Sequence, residues 1–166
     1  DRDYPAPKHN EPDLVLLGCG KEKIGGTSAV PAADLYTGPL FSARRKFAEG
    51  QNRPWMILSA EHGMVEPGRP LAPYDTAISD LTPERKQAWQ QSVRGKVLEY
   101  FDGRSGTIGK TVEVHAGADY VSELNKALTG LGVTVVPAFE RKGIGVQLGE
   151  YAKGYERPTT VGSFGI

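Results

Sequence analysis

The segment Ser59-Ala60-Glu61-His62-Gly63 places a hydroxyl, a carboxylate and an imidazole within one turn of chain. An imidazole titrates near neutral pH and works with a carboxylate as acid and base, so His62, with Glu61 beside it, is a candidate for proton transfer. Neighbours in sequence need not point to one place, and a structural histidine fits the same residues. A Ser-His-Asp set can be written from Ser59, His62 and Asp75, but no Gly-x-Ser-x-Gly elbow accompanies it and the reading is set aside. The run Gly18-Cys19-Gly20-Lys21-Glu22-Lys23 joins small residues, which let backbone N–H groups approach an anion, to the charge of Lys21 and Lys23. It is neither a Walker motif nor a dinucleotide fingerprint, so a plain turn and an anion-binding turn both fit. Cys19 reads as a small buried residue rather than a nucleophile.

Further candidates lie in two loops. In Asp34-Leu35-Tyr36-Thr37-Gly38-Pro39, Asp34 and Thr37 can cap the helix that follows. In the alternative, Tyr36 stacks on a base or sugar while Thr37 and Gly38 offer hydrogen bonds and Asp34 serves catalysis. In Pro73-Tyr74-Asp75, Asp75 either caps a turn or faces a sugar or base, with Tyr74 as a second stacking ring. His115 falls within the alternation of a strand and reads as a structural histidine. The single cysteine excludes an internal disulfide and a cysteine-based zinc cluster. Metal binding would need His62, His115 and carboxylates, and no zinc spacing joins them, so no metal and no cofactor is expected, with Mg²⁺ as the open alternative.

These residues need elements to hold them. Residues 13–17 form an apolar run that breaks at Gly18-Cys19-Gly20, the pattern of a buried strand entering a turn. A helix is expected from Pro39 to Ala48, with Leu40, Ala43 and Phe47 on one face, and a strand at 55–59. Thr82-Pro83-Glu84 starts a helix reaching Phe101, with Trp89, Val93, Val97 and Phe101 at four-residue spacing. A strand at 111–115, a helix from Asp119, a strand at 133–136 and a last helical turn or two at 143–151 follow. The alternation implies a single three-layer α/β domain with a mostly parallel central sheet of about four or more strands. Residues 1–12 read as a flexible N-terminal arm and 13–166 as that domain. Ligands collect at the carboxyl ends of such strands, which here means the turns at 18–23, 59–63 and 116–120, including Gly117 and Tyr120.

With 20 basic and 20 acidic residues the formal net charge is zero, against a wholly basic nucleic-acid coat. The runs Arg44-Arg45-Lys46 and Arg141-Lys142 read as solvated surface. No apolar run approaches a membrane span and residues 1–11 lack a signal peptide's apolar stretch, so no membrane and a cytoplasmic setting are expected. Oligomeric state is not legible.

Several of these segments, in this order, resemble known proteins. Asp34-Leu35-Tyr36-Thr37-Gly38 resembles the Asp-Val-Tyr-Thr-Gly segment of the YaaA-type peroxide-stress proteins. Residues 58–67 with Ala72-Pro73-Tyr74-Asp75 are similar to their Leu-Ser-Gly-Leu-Tyr-Gly block and later Gln-Pro-Tyr-Arg, and Ala116-Gly117-Ala118-Asp119-Tyr120 matches their Ala-Ser-x-Glu-Tyr. A closer resemblance is to short bacterial and phage-borne domains of unknown function. Those carry Cys-x-x-x-Lys, Leu-Tyr-Thr-Gly-x-Leu-Phe, Ser-Ala-x-His-Gly and Gly-Ile-Gly-x-Gln-Leu, here at 19–23, 35–41, 59–63 and 143–148. The departures are that His62 stands where the YaaA turn has tyrosine, that Asp75 replaces an arginine, and that the DNA-binding portion attributed to YaaA proteins has no counterpart.

The expectation from these residues is an enzyme acting on a nucleotide or a nucleic-acid base, with N-glycosidic cleavage or base transfer as the leading reaction. His62, Asp75 and Asp34 are its catalytic candidates. Lys21, Lys23, Tyr36, Thr37, Gly38, Ser59, Tyr74, Gly117 and Tyr120 are its binding candidates. A nucleotide or nucleic acid is the expected partner. The resemblance to YaaA proteins implies instead a non-catalytic nucleic-acid- or nucleotide-binding stress protein. The polar arm also permits an interaction module of a defence or modification assembly.

Overall fold

The computed structural model describes residues 4–139 and 142–158. Strand β1 (Leu14–Gly18) is buried along its whole length, as a near-continuous apolar strand must be when both faces of a sheet are covered. Parallel neighbours flank it, β3 (Trp55–Ser59) on one side and β6 (Thr111–His115) on the other, with β7 (Thr134–Pro137) parallel beyond β6. The antiparallel β4 (Gly63–Val65) closes the opposite edge, giving the order β4-β3-β1-β6-β7. Gly63 makes the tight reversal into β4 with φ of +74°, a conformation glycine reaches without a side-chain clash.

Alternate residues of β1 feed two cores. Leu14 and Leu16, with Leu58, Val112 and Val114, pack with Trp89, Val93, Val97 and Phe101 of α3 (Pro83–Phe101) and Leu124 of α4 (Ala118–Ala127). Val15 and Leu17, with Ile57, pack with Phe41 and Ala48 of α2 (Pro39–Gly50) and with the short α1 (Ala32–Leu35). The last helix, α5 (Ile144–Ala152), lies on α2 and buries no residue fully. A two-stranded antiparallel ribbon, β2 (Val30–Pro31) with β5 (Pro70–Leu71), ties the two proline-rich loops together. The molecule is thus a mixed α/β protein with a mostly parallel five-stranded sheet flanked by helices.

The chain leaves β1 toward α2 on one face and leaves β6 toward α4 on the other. The carboxyl ends of β1 and β6 therefore bound a topological switch point, where open α/β sheets form their binding crevices. Close approach is built in there: a Cβ on Gly18 would lie 2.6 Å from the Cβ of Ala116.

Three local expectations are corrected. The buried stripe of α2 is Phe41, Arg44 and Ala48, not Leu40, Ala43 and Phe47. Arg44 is thereby removed from the solvated surface assigned to the 44–46 run, while Lys46 is exposed and Arg141 lies outside the described residues. Nor do Asp34 and Thr37 cap α2, whose N-cap is Gly38 with no side-chain bond. Asp34 is instead drawn to Arg45, which bonds it at 2.7 Å. Along residues 4–12, Arg53 donates to the carbonyls of Pro5 and Pro12 at 2.5 and 2.8 Å, so the chain entering β1 follows a buried guanidinium.

Candidate functional site

A connected set of hydroxyls and a thiol occupies the carboxyl ends of β1 and β3. Ser59 ends β3, and its Oγ accepts the backbone N–H groups of Glu61 and His62 at 3.2 and 3.0 Å. With both lone pairs engaged, its proton goes to the Tyr74 phenol oxygen 2.8 Å away. Tyr36 Oη lies 2.7 Å from the same oxygen. Tyr74 in turn donates to Cys19 Sγ at 3.5 Å, and Tyr120 Oη stands 2.7 Å from that sulfur. Trp89 closes the floor by donating its indole N–H to the Ser59 carbonyl at 2.8 Å.

Local sequence explains this convergence. Residues 22–24 pair with 35–37 through bonds from Ile24 N to Leu35 O and from Thr37 N to Glu22 O, with a bridge between Lys23 and Tyr36. Lys23 is thereby set with its ammonium 4.5 Å from the Tyr74 ring centre and 5.9 Å from that of Tyr36, in cation–π range. Gly38 is buried beside Glu22, where a Cβ would meet a carboxylate oxygen at 3.3 Å. The His62 ring meets Tyr74 edge-on at 5.5 Å.

Burial, and next to it the neighbouring Cys19, hold the phenols of Tyr36, Tyr74 and Tyr120 far above the ordinary range. All three are neutral hydroxyls at physiological pH. Burial and the charge of Arg69 lower His62, against the pull of Glu61, so its imidazole is neutral at pH 7. The three phenols and the imidazole are thus neutral donors and acceptors, with the Lys23 ammonium at their rim.

Of the residues singled out from the sequence, the structure joins Lys23, Tyr36, Ser59, His62, Tyr74 and Tyr120 in direct contact and adds Cys19 at their centre. Gly117 is the exposed N-cap of α4, the helix that carries Tyr120. Lys21, Thr37 and Asp75 are exposed around these loops. Asp34 is held in its ion pair with Arg45 and bonds to no member of the array. Glu61 turns outward as well, accepting from Thr76 at 2.6 Å and facing Arg85 at 3.6 Å.

A second polar string runs beneath α5. His115 Nε2 meets Glu113 at 2.8 Å and His115 Nδ1 meets the Tyr151 hydroxyl at 2.5 Å. Arg157 holds Glu113 through Nε at 2.6 Å and Nη2 at 3.1 Å, and bonds Gln51 at 2.5 Å. His115 is thus a buried histidine with both nitrogens engaged. Above it, Arg44 donates to Gln147 Oε1 at 3.3 Å and lies within electrostatic reach of Cys19 and Tyr151. Sequence reasoning missed Arg44. The available signal was its helical spacing with Phe41 and Ala48, which puts it on the sheet-facing side. Among the described residues no group of three or more His, Cys, Asp or Glu side chains converges as metal ligands, and no helix is long and apolar enough to cross a membrane.

The matched region of known proteins spans these features. A family model described as a family of unknown function (DUF6884) matches residues 14–153, from β1 through α5. The uncharacterized protein YfjM of Bacillus subtilis (strain 168) is similar at 27% identity over 140 residues, covering 81% of this chain and 89% of that protein. With the whole sheet and both helical layers inside the match, the chain belongs to the DUF6884 family.

Proposed function

We propose that this protein binds a nucleotide or nucleobase-containing ligand at the Cys19–tyrosine array and acts on its base, with N-glycosidic cleavage or base transfer as the reaction class. The observation that carries the reading is the meeting of Tyr36, Ser59, Tyr74 and Tyr120 around Cys19 beneath the Lys23 ammonium. Neutral hydroxyls that both donate and accept suit the edge of a base, and tyrosine faces suit its rings. Lys23, with exposed Lys21 nearby in sequence, supplies charge for a phosphate. His62, neutral at pH 7, is the group able to take or relay a proton at this rim. Asp75, on the same loop as Tyr74, is the carboxylate for a cationic sugar; Asp34, tied to Arg45, is withdrawn from that role.

One observation favours a second reading, binding without turnover. The array contains no carboxylate, since Asp34 and Glu61 both bond to partners outside it. The likeness to YaaA-type stress proteins in the 34–38 and 58–75 segments supports the same alternative.

The test is incubation with a panel of nucleosides, nucleotides and modified DNA, with released base followed by chromatography and binding by calorimetry. Base release that falls at least a hundredfold in Asp75→Asn or His62→Ala, with binding retained, supports the enzyme. Binding that weakens in Lys23→Ala and Tyr74→Phe without any release supports the second reading. Absence of binding across the panel rejects both.

A further inference from the structure

Arg44 is 5% exposed, and its Nε has no hydrogen-bond partner. Among the described residues, the other arginines of the α2 layer are satisfied by an anion or by carbonyls. Arg45 holds Asp34 and Glu49, Arg157 holds Glu113, and buried Arg53 is taken up by two backbone carbonyls. Arg44 differs. Among the described residues no carboxylate pairs with it, and its contacts are a 3.3 Å donation to the neutral amide of Gln147 and the neutral Tyr151 hydroxyl, neither of which satisfies Nε. The groups around it, Cys19, His115 and Tyr151, are a thiol, a histidine already bonded to Glu113, and a phenol.

A guanidinium stays protonated even when buried, and a buried charge without a counter-charge is strongly unfavourable. An orphaned buried donor adds to that cost and calls for a partner. The missing partner is an acceptor that carries negative charge and fits the fork of Nε and Nη. The position is also the right one: Arg44 sits behind the carboxyl end of β1, beside the switch point between β1 and β6, on the face of the sheet that carries Tyr36. Its bonded neighbour Gln147 is half-buried, and Gln147 Nε2 donates to the Lys142 carbonyl at 2.9 Å.

We infer that Arg44 is an oxyanion-binding residue, taking with Gln147 the phosphate monoester or carboxylate of the ligand held by the Cys19–tyrosine array. The inference rests on the binding part of the proposed function, and it adds an anionic position distinct from the lysines at the rim.

Inorganic phosphate and acetate, each against chloride at equal ionic strength, test it on the full chain. The readout is the arginine Nε–H resonance of ¹⁵N-labelled protein, assigned to Arg44 by its loss in Arg44→Lys. A saturable shift of that resonance with phosphate, and phosphate affinity reduced roughly tenfold or more in Arg44→Lys, supports a monoester. The same response to acetate alone supports a carboxylate ligand. If Arg44→Lys fails to fold, the wild-type resonance, assigned by its contacts to Gln147, still decides. An Arg44 signal that moves with neither anion overturns the inference. Nucleosides that bind without any oxyanion response sink this inference alone, whereas an oxyanion response with no nucleotide binding sinks only the nucleotide reading.

Discussion

Glu113 and His115 share a hydrogen bond in the α2–α5 layer, and their titrations pull stability in one direction. Burial pushes the Glu113 carboxyl up, but the bonds from His115 and Arg157 outweigh it and leave it below the ordinary value. Such a group stabilises the fold above the ordinary carboxylate range, and that contribution is lost as pH falls through the folded value. His115, lowered chiefly by burial, and His62, lowered by burial and Arg69, resist protonation in the fold. The unfolded chain takes up protons that the folded one refuses, so stability falls as pH drops below about 6.5. The expected urea midpoint is level from about pH 7 to about pH 9, declines below about pH 6.5, and drops again in the carboxylate range. His115→Phe should flatten the first decline. A wild-type midpoint higher at about pH 5 than at pH 7.5 would contradict the assignment.

At the level of elements, β1 and β6 come together because Gly18 has no side chain. Gly18→Ala sets a methyl against both Ala116 Cβ at 2.6 Å and its Cα at 3.1 Å, backbone that cannot swing aside. The expected loss is about 1–3 kcal/mol in urea unfolding, and an unchanged midpoint would refute the close approach. Helix α3 starts at Thr82, whose side chain accepts the Arg85 N–H at 3.2 Å. Thr82→Ala should cost about 1 kcal/mol, read from the same titration, with Thr82→Ser retaining most of it. The long elements were legible because their periods are strong. Trp89, Val93, Val97 and Phe101 mark α3, and the unbroken apolar run marks β1. The short β4, β2 and β5 were not, since pairs of two or three residues leave no period and owe their existence to partners distant in the chain. The site divides the same way. Lys23, Ser59, Tyr36, Tyr74 and Tyr120 could be named from strand-end positions and turn chemistry. A hydrophobic pattern assigns Arg44 to solvent because it carries charge, and it offers Asp34 as a cap because its partner Arg45 lies well inside α2, beyond the reach of local spacing.

For the molecule as a whole, one buried side chain helps bind the segment before β1. Arg53 spans from the start of β3 to the carbonyls of Pro5 and Pro12. Arg53→Ala should release residues 4–12 and speed tryptic cleavage at the exposed Lys8, followed by mass spectrometry. Equal cleavage rates in both proteins would show that the segment is held by other contacts. The two tryptophans divide the molecule optically. Trp89 hangs from the Ser59 carbonyl with its ring 6.1 Å from that of Tyr120, while Trp55 begins the same strand at its far end. An occupant that shifts Ser59 or Tyr120 therefore changes the surroundings of one indole and spares the other. The emission spectrum carries a built-in signal of occupancy together with its own reference, and no label is required.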